Sequence, residues 1–405
     1  MKSVSEVPLI EVAEGIFDGP HATPPESQDG PIFLRLDNIT PEGRLDLTDL
    51  RFINQSDFPR WTRRVTPLPG DVVFSYEATL HRYVVIPEGF HGCLGRRLAL
   101  IRPNRKKIEP RFLHYYFLSP RWRAVAGSAV INGATVDRIS LTLVRNLPVR
   151  LPSLQQQQRI VAVLSAYDDL IENNRRRMAL LEESARLLYQ EWFVRLRFPG
   201  HEHVRITNGV PEGWKCKTFS EVAEFRLGKM LDQNKNKGDL MPYLANVNVR
   251  WGEFELNDLR EMRFEDHELE TFGLKYGDIV MCEGGEPGRC AIWKEQMPGM
   301  MIQKAIHRIR ARDNMHHVYL YYSLHHQGQS GHLATLFTGA TIKHLPREKL
   351  EKVTVVVPPT NLMDIFIEQA SPIEGQLQLL EATNRRASEA RDLLLPRLMN
   401  GETTL

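Results

Sequence analysis

LPSLQQQQRIVAVLSAYDDLIENNRRRMALLEESARLLYQEWFVRLRF, residues 151 to 198, decides how the rest of the chain is arranged. Stepping alternately four and three residues from Ile160 meets Leu164, Tyr167, Ile171, Asn174, Met178, Leu181, Ala185, Leu188 and Trp192, all apolar or aromatic except Asn174. A stripe that repeats every seven residues predicts a coiled-coil helix, because supercoiling keeps such a stripe turned toward one partner. The other faces carry Asp168, Asp169, Glu172, Arg175, Arg176, Glu182, Glu183 and Arg186, which suit water. Ser153 and Gln156 form a capping box after Pro152, and Pro199-Gly200 closes the far end. At 1.5 Å per residue, Ile160 to Trp192 spans about 50 Å. A rod of that length with one apolar stripe needs a partner.

Outward from the rod, the two flanking segments echo each other. Residues before it read as a mixed α/β domain, with strand-like runs Ile32–Leu36, Asp71–Phe74, Tyr83–Ile86 and Leu147–Leu151 and a short helix at PRFLHYYFL, Pro110 to Leu118. Leu68-Pro69-Gly70-Asp71-Val72-Val73 returns as Lys275-Tyr276-Gly277-Asp278-Ile279-Val280, and Phe112-Leu113-His114-Tyr115-Tyr116 as Tyr319-Leu320-Tyr321-Tyr322-Ser323, both 207 residues on. Gly133-Ala134-Thr135-Val136 returns as Gly339-Ala340-Thr341-Ile342, and Val149-Arg150-Leu151-Pro152 as Val355-Val356-Val357-Pro358, both 206 residues on. Four echoes in one order at one spacing mark a tandem duplication. It predicts a second rod after Pro358. A seam follows through Ile373, Leu377, Leu380, Asn384, Ala387, Arg391, Leu394 and Leu398, which Pro372 and Pro396 are expected to interrupt and shorten. Each seam holds one asparagine, Asn174 or Asn384. A polar residue in a coiled-coil seam fixes register, so the two rods are expected to pack antiparallel with these asparagines facing; a homodimer zipper is the other reading.

The chain is therefore expected to be mixed α/β (α+β), with pseudo-twofold internal duplication: two similar globular domains separated by two long antiparallel helices forming a coiled coil. The boundaries are residues 1–150, a helix over 151–200, residues 201–352, and a helix over 353–405. Hydrophobic content of 42% and charged content of 25% suit a water-exposed globular protein. MKSVSEVPLIEVAEGI has acids where a signal peptide would be apolar, and no apolar run reaches membrane length, so a cytoplasmic protein is expected. Cys93, Cys216, Cys282 and Cys290 form no CxxC pair, and His316-His317 and His325-His326 lack ligand-spaced companions, so neither disulfides nor a metal site is indicated. From Arg60 to Arg123 there are 13 Lys or Arg against Asp71, Glu77, Glu88 and Glu109, whereas His201 to Lys352 balances at 21 of each sign. The first excess fits a polyanionic partner.

In its ordered set of strings the chain resembles the specificity subunit of type I DNA restriction-modification systems. DGPHATP at Asp18 to Pro24 and GPIFLRLDNI look like the start of one target recognition domain. MPYLANVNVRWGEFELNDL from Met241 and LKYGDIVMCEGGEPGRCAIW from Leu274 look like the other. LPSLQQQQRI, VPPTNL and the ending LLLPRLMNGE resemble the family's conserved regions; Leu362-Met363-Asp364 departs from its usual Gln-containing helix start. The resemblance implies a non-catalytic DNA reader in host defense and DNA methylation. Each globular domain would recognise half of a split double-stranded target, while the helices set the spacing and dock two methyltransferase subunits, through which restriction and motor subunits join. It implies no cofactor on this chain, with S-adenosylmethionine, ATP and Mg on the partner subunits.

Base reading needs Arg or Lys for guanine and Asn or Gln for adenine, held on loops or strand ends. Position after strands or beside glycines selects His21, Arg35, Asn38, Thr79, His81, Arg82, Arg96, Arg97 and Thr135 in the first domain, and Asn246, Asn248, Arg250, Glu283, Arg289, Lys304, Lys343 and His344 in the second. Gly284-Gly285-Glu286-Pro287-Gly288 lacks a phosphate loop's GK[ST] ending and reads as a turn between strands. The tyrosines of the two short helices read as core. No methyltransferase Asn/Asp-Pro-Pro-Tyr/Phe string, triad or paired-acid site stands out, which argues against an enzyme with its own active site; a coiled-coil scaffold without DNA specificity is the other rival.

Overall fold

The computed structural model describes residues 5–131, 136–232, 236–312 and 315–403. Strands β1 (Ala13–Asp18), β2 (Val72–Ser75), β3 (Tyr83–Val85) and β4 (Leu98–Pro103) precede a short helix α1 (Pro110–Leu118) and a long one, α2 (Leu154–Tyr189). The order then repeats: β5 (Ala223–Leu227), β6 (Ile279–Cys282), β7 (Cys290–Ile292) and β8 (Ile306–Ala311) precede α3 (His317–Gln329) and the long α4 (Thr360–Asn400). Two compact units result, Met1–Asn173 with Thr383–Leu405 and Asn174–Ala382. Each unit holds one globular portion and a piece of both long helices.

In the first unit an antiparallel sheet runs β1-β4-β2-β3, with Phe17 and Val73 both opposite Leu100, and Val73 opposite Val84. Both faces are covered, so β2 is buried at every residue and reads as a continuous apolar run. Val72, Phe74 and Ile101 pack with Phe112, Leu113 and Tyr116 of α1, Ile160 and Leu164 of α2, and Leu395, Leu398 and Met399 of α4. The alternate residues Val73 and Leu100 meet Leu34, Ile39 and Leu94 on the other face. Helix α1 starts where Pro110 follows Glu109, whose carboxylate accepts from the Phe112 N–H at 2.6 Å.

The second unit repeats this plan as β5-β8-β6-β7, with Phe225 and Ile279 both opposite Ile309 and Ile279 opposite Ile292. Ile279, Met281 and Ile309 join Tyr319 and Leu320 of α3, Ala185 and Tyr189 of α2, and Leu362, Met363, Phe366 and Ala370 of α4. The GDVV and GDIV echo is explained by structure, not function. Gly70 and Gly277 turn at φ 90° and 84°, and the next residue is a buried aspartate gripped by an arginine one strand away. Asp71 takes Arg102 Nε and Nη2 at 3.0 and 2.8 Å; Asp278 takes Arg310 Nε and Nη2 at 2.6 and 2.7 Å. Buried carboxylates persist when paired in this bidentate way.

The capping box of α2 is present, with the Ser153 N–H donating to Gln156 Oε1 at 3.2 Å and the Gln156 N–H to Ser153 Oγ at 3.4 Å. Next to it Gln157 is fully buried. Its amide donates to the Lys107 and Pro152 carbonyls and accepts from the Glu109 N–H, tying the first turn of α2 to the start of α1. Every position of the seam from Ile160 to Trp192 is buried or half-buried. Past Tyr189 the helix widens into a π turn, Gln190–Val194, and Leu196 at φ 58° ends it ahead of Pro199-Gly200.

One expectation is overturned. Pro372 and Pro396 do not interrupt the second rod: α4 runs unbroken from Thr360 to Asn400. Each proline removes one backbone hydrogen bond, a local cost of about 3 kcal/mol. The turns around them bury Phe366, Ala370 and Leu377, and Leu395, Leu398 and Met399. Each fully buried side chain of this kind contributes roughly 1.5–3 kcal/mol, so packing outweighs the missing bonds. Within each unit the two helix pieces run antiparallel: Asp168 pairs with Arg391 in the first, and Ala185 and Tyr189 share a cluster with Phe366 and Ala370 in the second. Asn174 is buried and Asn384 half-buried, in different units. No described helix is long and apolar enough to cross a membrane.

Candidate nucleic-acid interface

Strand direction decides which loops meet. In the first unit β1 and β2 finish, and β3 and β4 begin, at the same end of the sheet. That end therefore gathers His21 beyond β1, the β2–β3 loop with Thr79, His81 and Arg82, and Arg96 and Arg97 ahead of β4. The Tyr76 N–H donates to the Arg97 carbonyl at 3.2 Å and the Ile139 N–H to the Tyr76 carbonyl at 2.8 Å, which adds Arg138, bridged to Glu77. His21 Nε2 lies 3.0 Å from Asp18 Oδ2, a carboxylate that Arg64 also pairs. Arg97 Nε stands 3.9 Å from Glu77 Oε1.

The second unit does the same. Around the ends of β5 and β6 and the starts of β7 and β8 lie the Glu283 to Arg289 loop, Lys304, Lys343 and His344. The Leu345 N–H donates to the Glu283 carbonyl at 2.7 Å, echoing Ile139 on Tyr76, and His344 Nδ1 lies 3.1 Å from Glu283 Oε2. Arg289 Nη2 donates to the Asn246 carbonyl at 2.9 Å and Nη1 pairs with Glu286, while Asn246 Nδ2 donates to the Gly284 carbonyl at 3.2 Å.

The two loops share one backbone path. Ala78 and His81 have φ of 67° and 64°; the residues 207 places on, Gly285 and Gly288, have 81° and 91°. The second loop uses glycine where the left-handed region demands it, and the first holds two residues with side chains there, at a cost of about 1–2 kcal/mol each. His81 has a chemical identity fixed by its neighbours. Burial first, then the Arg123 cation, lower its pKa below the usual histidine range, leaving the imidazole neutral at pH 7. Trp122 Nε1 donates to the Tyr83 hydroxyl at 2.9 Å, and that hydroxyl, 3.1 Å from His81 Nδ1, can give its own hydrogen there. The network thus assigns Nε2 as the protonated nitrogen, a donor.

Several residues chosen from the sequence belong elsewhere. Asn38 and Asn248 are buried and hold turns: each Oδ1 accepts from the backbone N–H three residues back, Arg35 or Ala245, while Asn38 Nδ2 donates to the Asp46 and Asp49 carbonyls and Asn248 Nδ2 to Glu255. Arg35 grips Asp49, and Arg250 caps the Val247 and Val249 carbonyls. Thr135 lies outside the described residues. The basic excess of Arg60 to Arg123 also divides. Arg102 is spent on Asp71, and Arg105, Lys106 and Lys107 follow β4 at the opposite end of the sheet, where the Asn104 N–H donates to Val12. Arg64 and Arg138 were missed; the signal for Arg138 was its place just after the Gly-Ala-Thr echo.

The chain thus holds two copies of one α/β plan, each offering a loop cluster at one sheet end. The type I restriction modification DNA specificity domain matches residues 63–183. The putative type I restriction enzyme MjaX specificity subunit of Methanocaldococcus jannaschii is 20% identical, with 97% of this chain and 92% of that one covered. The type I restriction enzyme HindI specificity subunit of Haemophilus influenzae is 21% identical, with 86% of this chain and 90% of the relative covered. A crystal structure of a type I restriction-modification S subunit from M. genitalium shares the fold, with a TM-score of 0.53, 13% identity, and 98% of this chain and 97% of that chain covered. Over residues 63–183 the chain matches that specificity domain, and over most of its length it is similar to specificity subunits of type I restriction-modification systems.

Proposed function

We propose that this chain is a non-catalytic DNA reader in which each globular portion takes one half of a split double-stranded target. The observation that carries the reading is the shared path of the 76–82 and 283–289 loops. Backbone conformation is duplicated at Ala78/Gly285 and His81/Gly288, while the side chains differ: Thr79, His81 and Arg82 on one, Glu283, Glu286 and Arg289 on the other. One scaffold bearing two sets of donors and acceptors is what two different half-sites require. Arg82, Arg96 and Arg97 in the first reader and Lys304 and Lys343 in the second suit guanine edges and phosphates; Glu283 suits a cytosine amino group, and Arg289 holds the loop through Asn246 and Glu286.

The long helices hold the readers apart, and their outer faces dock two methyltransferase subunits, through which restriction and motor subunits join. A rod of about 50 Å exceeds one DNA turn of about 34 Å, enough to serve separate half-sites. S-adenosylmethionine, ATP and Mg act on the partner subunits, and the complex works in the cytoplasm.

Mapping adenine methylation in cells that express this chain with its methyltransferase tests the proposal. The expected motif is two half-sites around a fixed run of unspecified bases, and exchanging residues 1–150 alters one half alone. A single undivided motif, or methylation by the purified chain with S-adenosylmethionine alone, refutes it.

A further inference from the structure

The duplication preserves one polar contact far from the loop clusters. In the first unit Tyr115 of α1, 4% exposed, donates its hydroxyl to Asp168 Oδ2 on α2. In the second unit Tyr322 of α3, also 4% exposed and 207 residues on, donates to Glu374 Oε1 on α4 at 2.9 Å. Asp168 and Glu374 are themselves 206 residues apart. In both units, then, a tyrosine on the short helix of the globular portion is bound to a carboxylate on the long helix that follows it in sequence. Each pair sits at the wall of an open cavity, of about 630 Å³ beside Tyr115 and about 410 Å³ beside Tyr322.

The cation that completes each contact differs. Asp168 Oδ1 takes Arg391 Nη1 at 2.7 Å, and Arg391 comes from α4. Glu374 Oε2 takes Lys294 Nζ at 3.2 Å, and Lys294 comes from the globular portion itself, just past β7. Lys294 is 6% exposed and also lies 3.8 Å from Glu381, with Glu182 of α2 contributing to its electrostatic surroundings. At this contact the first globular portion contributes Tyr115, and the second contributes Tyr322 and Lys294.

Apolar contacts between a globular portion and a rod tolerate sliding, because dispersion and burial have little directional preference. A charge-assisted O–H···O⁻ bond does not, since it weakens steeply with distance and angle. Resting on the DNA-reader proposal above, we infer that Tyr115–Asp168 and Tyr322–Glu374 are positioning pairs. They set the angle at which each reader meets its helices, and thereby the number of unspecified bases that the two half-sites can enclose.

The test uses the full complex with its methyltransferase subunits and three DNA duplexes that share both half-sites but carry the native spacer, one base pair fewer, or one more. Methyl transfer is compared for the parent, Tyr115→Phe, Tyr322→Phe and the double variant. Preference for the native spacer is expected to fall about tenfold in the double variant, the order of effect of losing a charge-assisted hydrogen bond. Each single variant should account for part of that fall. Base discrimination within each half-site is expected to hold. A merely structural role would lower transfer on all three duplexes alike and leave their ratio unchanged, and an unchanged ratio overturns the inference. If the double variant does not fold, Asp168→Asn and Glu374→Gln retain an acceptor for each tyrosine without its charge. They are expected to relax the spacing partway, and full retention of the preference counts against the pairs. A parent complex that methylates no split target removes the reader proposal and this inference together. A parent with a sharp spacing preference that the variants keep removes the inference alone.

Discussion

Replacing Glu182 by glutamine should stabilise the second unit at pH 8 and do little at pH 5.5. Glu182 is half-buried on α2 and lines the cavity that also holds Glu183, Arg186, Lys294, His325 and Glu374. Burial first, then the carboxylates of Glu253, Glu374 and Glu381, push its pKa up to about 7 from 4.5, with Lys294 pulling the other way. The folded chain therefore binds a proton more tightly than the unfolded chain between these values. Its stability falls as pH rises from about 4.5 to about 7, and above that the penalty of holding the charged carboxylate is complete. A shift of this size corresponds to roughly 3 kcal/mol; screening through the open side of the cavity reduces it to about 1–2 kcal/mol. For a unit of 174–382 this is a rise in Tm of about 3–6 °C in the Gln variant at pH 8. Calorimetric melts of parent and variant at pH 5.5 and pH 8 measure it. Equal melting at both pH values, or a variant less stable at pH 8, would refute the account of Glu182 as a carboxylate whose charge the cavity disfavours.

Three further outcomes follow from the geometry. Asn38→Ala removes one accepted and two donated bonds from a buried turn and should cost about 2–3 kcal/mol in urea unfolding, with Asn248→Ala slightly less; a loss under about 0.5 kcal/mol would restore these asparagines to the surface. Ala78→Gly should raise stability by about 0.5–1 kcal/mol by relieving a left-handed backbone, whereas Gly285→Ala should lower it by about 1–2 kcal/mol. A Cβ at 285 would also come within 2.5 Å of Asn246 Nδ2. Effects of the same sign at both positions, in thermal melts, would break the equivalence of the two loops. Pro372→Ala, at an exposed position inside α4, should add about 1–3 kcal/mol by restoring a helix hydrogen bond, and a loss of helix signal in circular dichroism would contradict it.

The sequence by itself determined the periodic and repeated features. Seven-residue spacing from Ile160 to Trp192 and the Ser153–Gln156 cap define α2, and PRFLHYYFL coincides with α1, because helix periodicity and capping act over a few neighbouring residues. The duplication was equally legible, since echoes at one spacing need no structure to be seen. Tertiary structure alone decided the rest. Pro372 and Pro396 look like breaks because their cost is local, while Phe366, Leu377 and Leu398, whose burial offsets it, draw their partners from the rest of the fold. Asn38 and Asn248 look like surface readers because a polar residue after a strand is ordinarily exposed; here backbone carbonyls up to 11 residues away claim their amides. The basic run from Arg60 to Arg123 looks continuous, yet β4 carries Arg96 and Arg97 to one end of the sheet and Arg105 to Lys107 to the other. Tyr115 and Tyr322 read simply as core, since their carboxylates lie 53 and 52 residues further along. Local pattern sets the elements; direction, burial and long-range pairing choose which of their side chains meet.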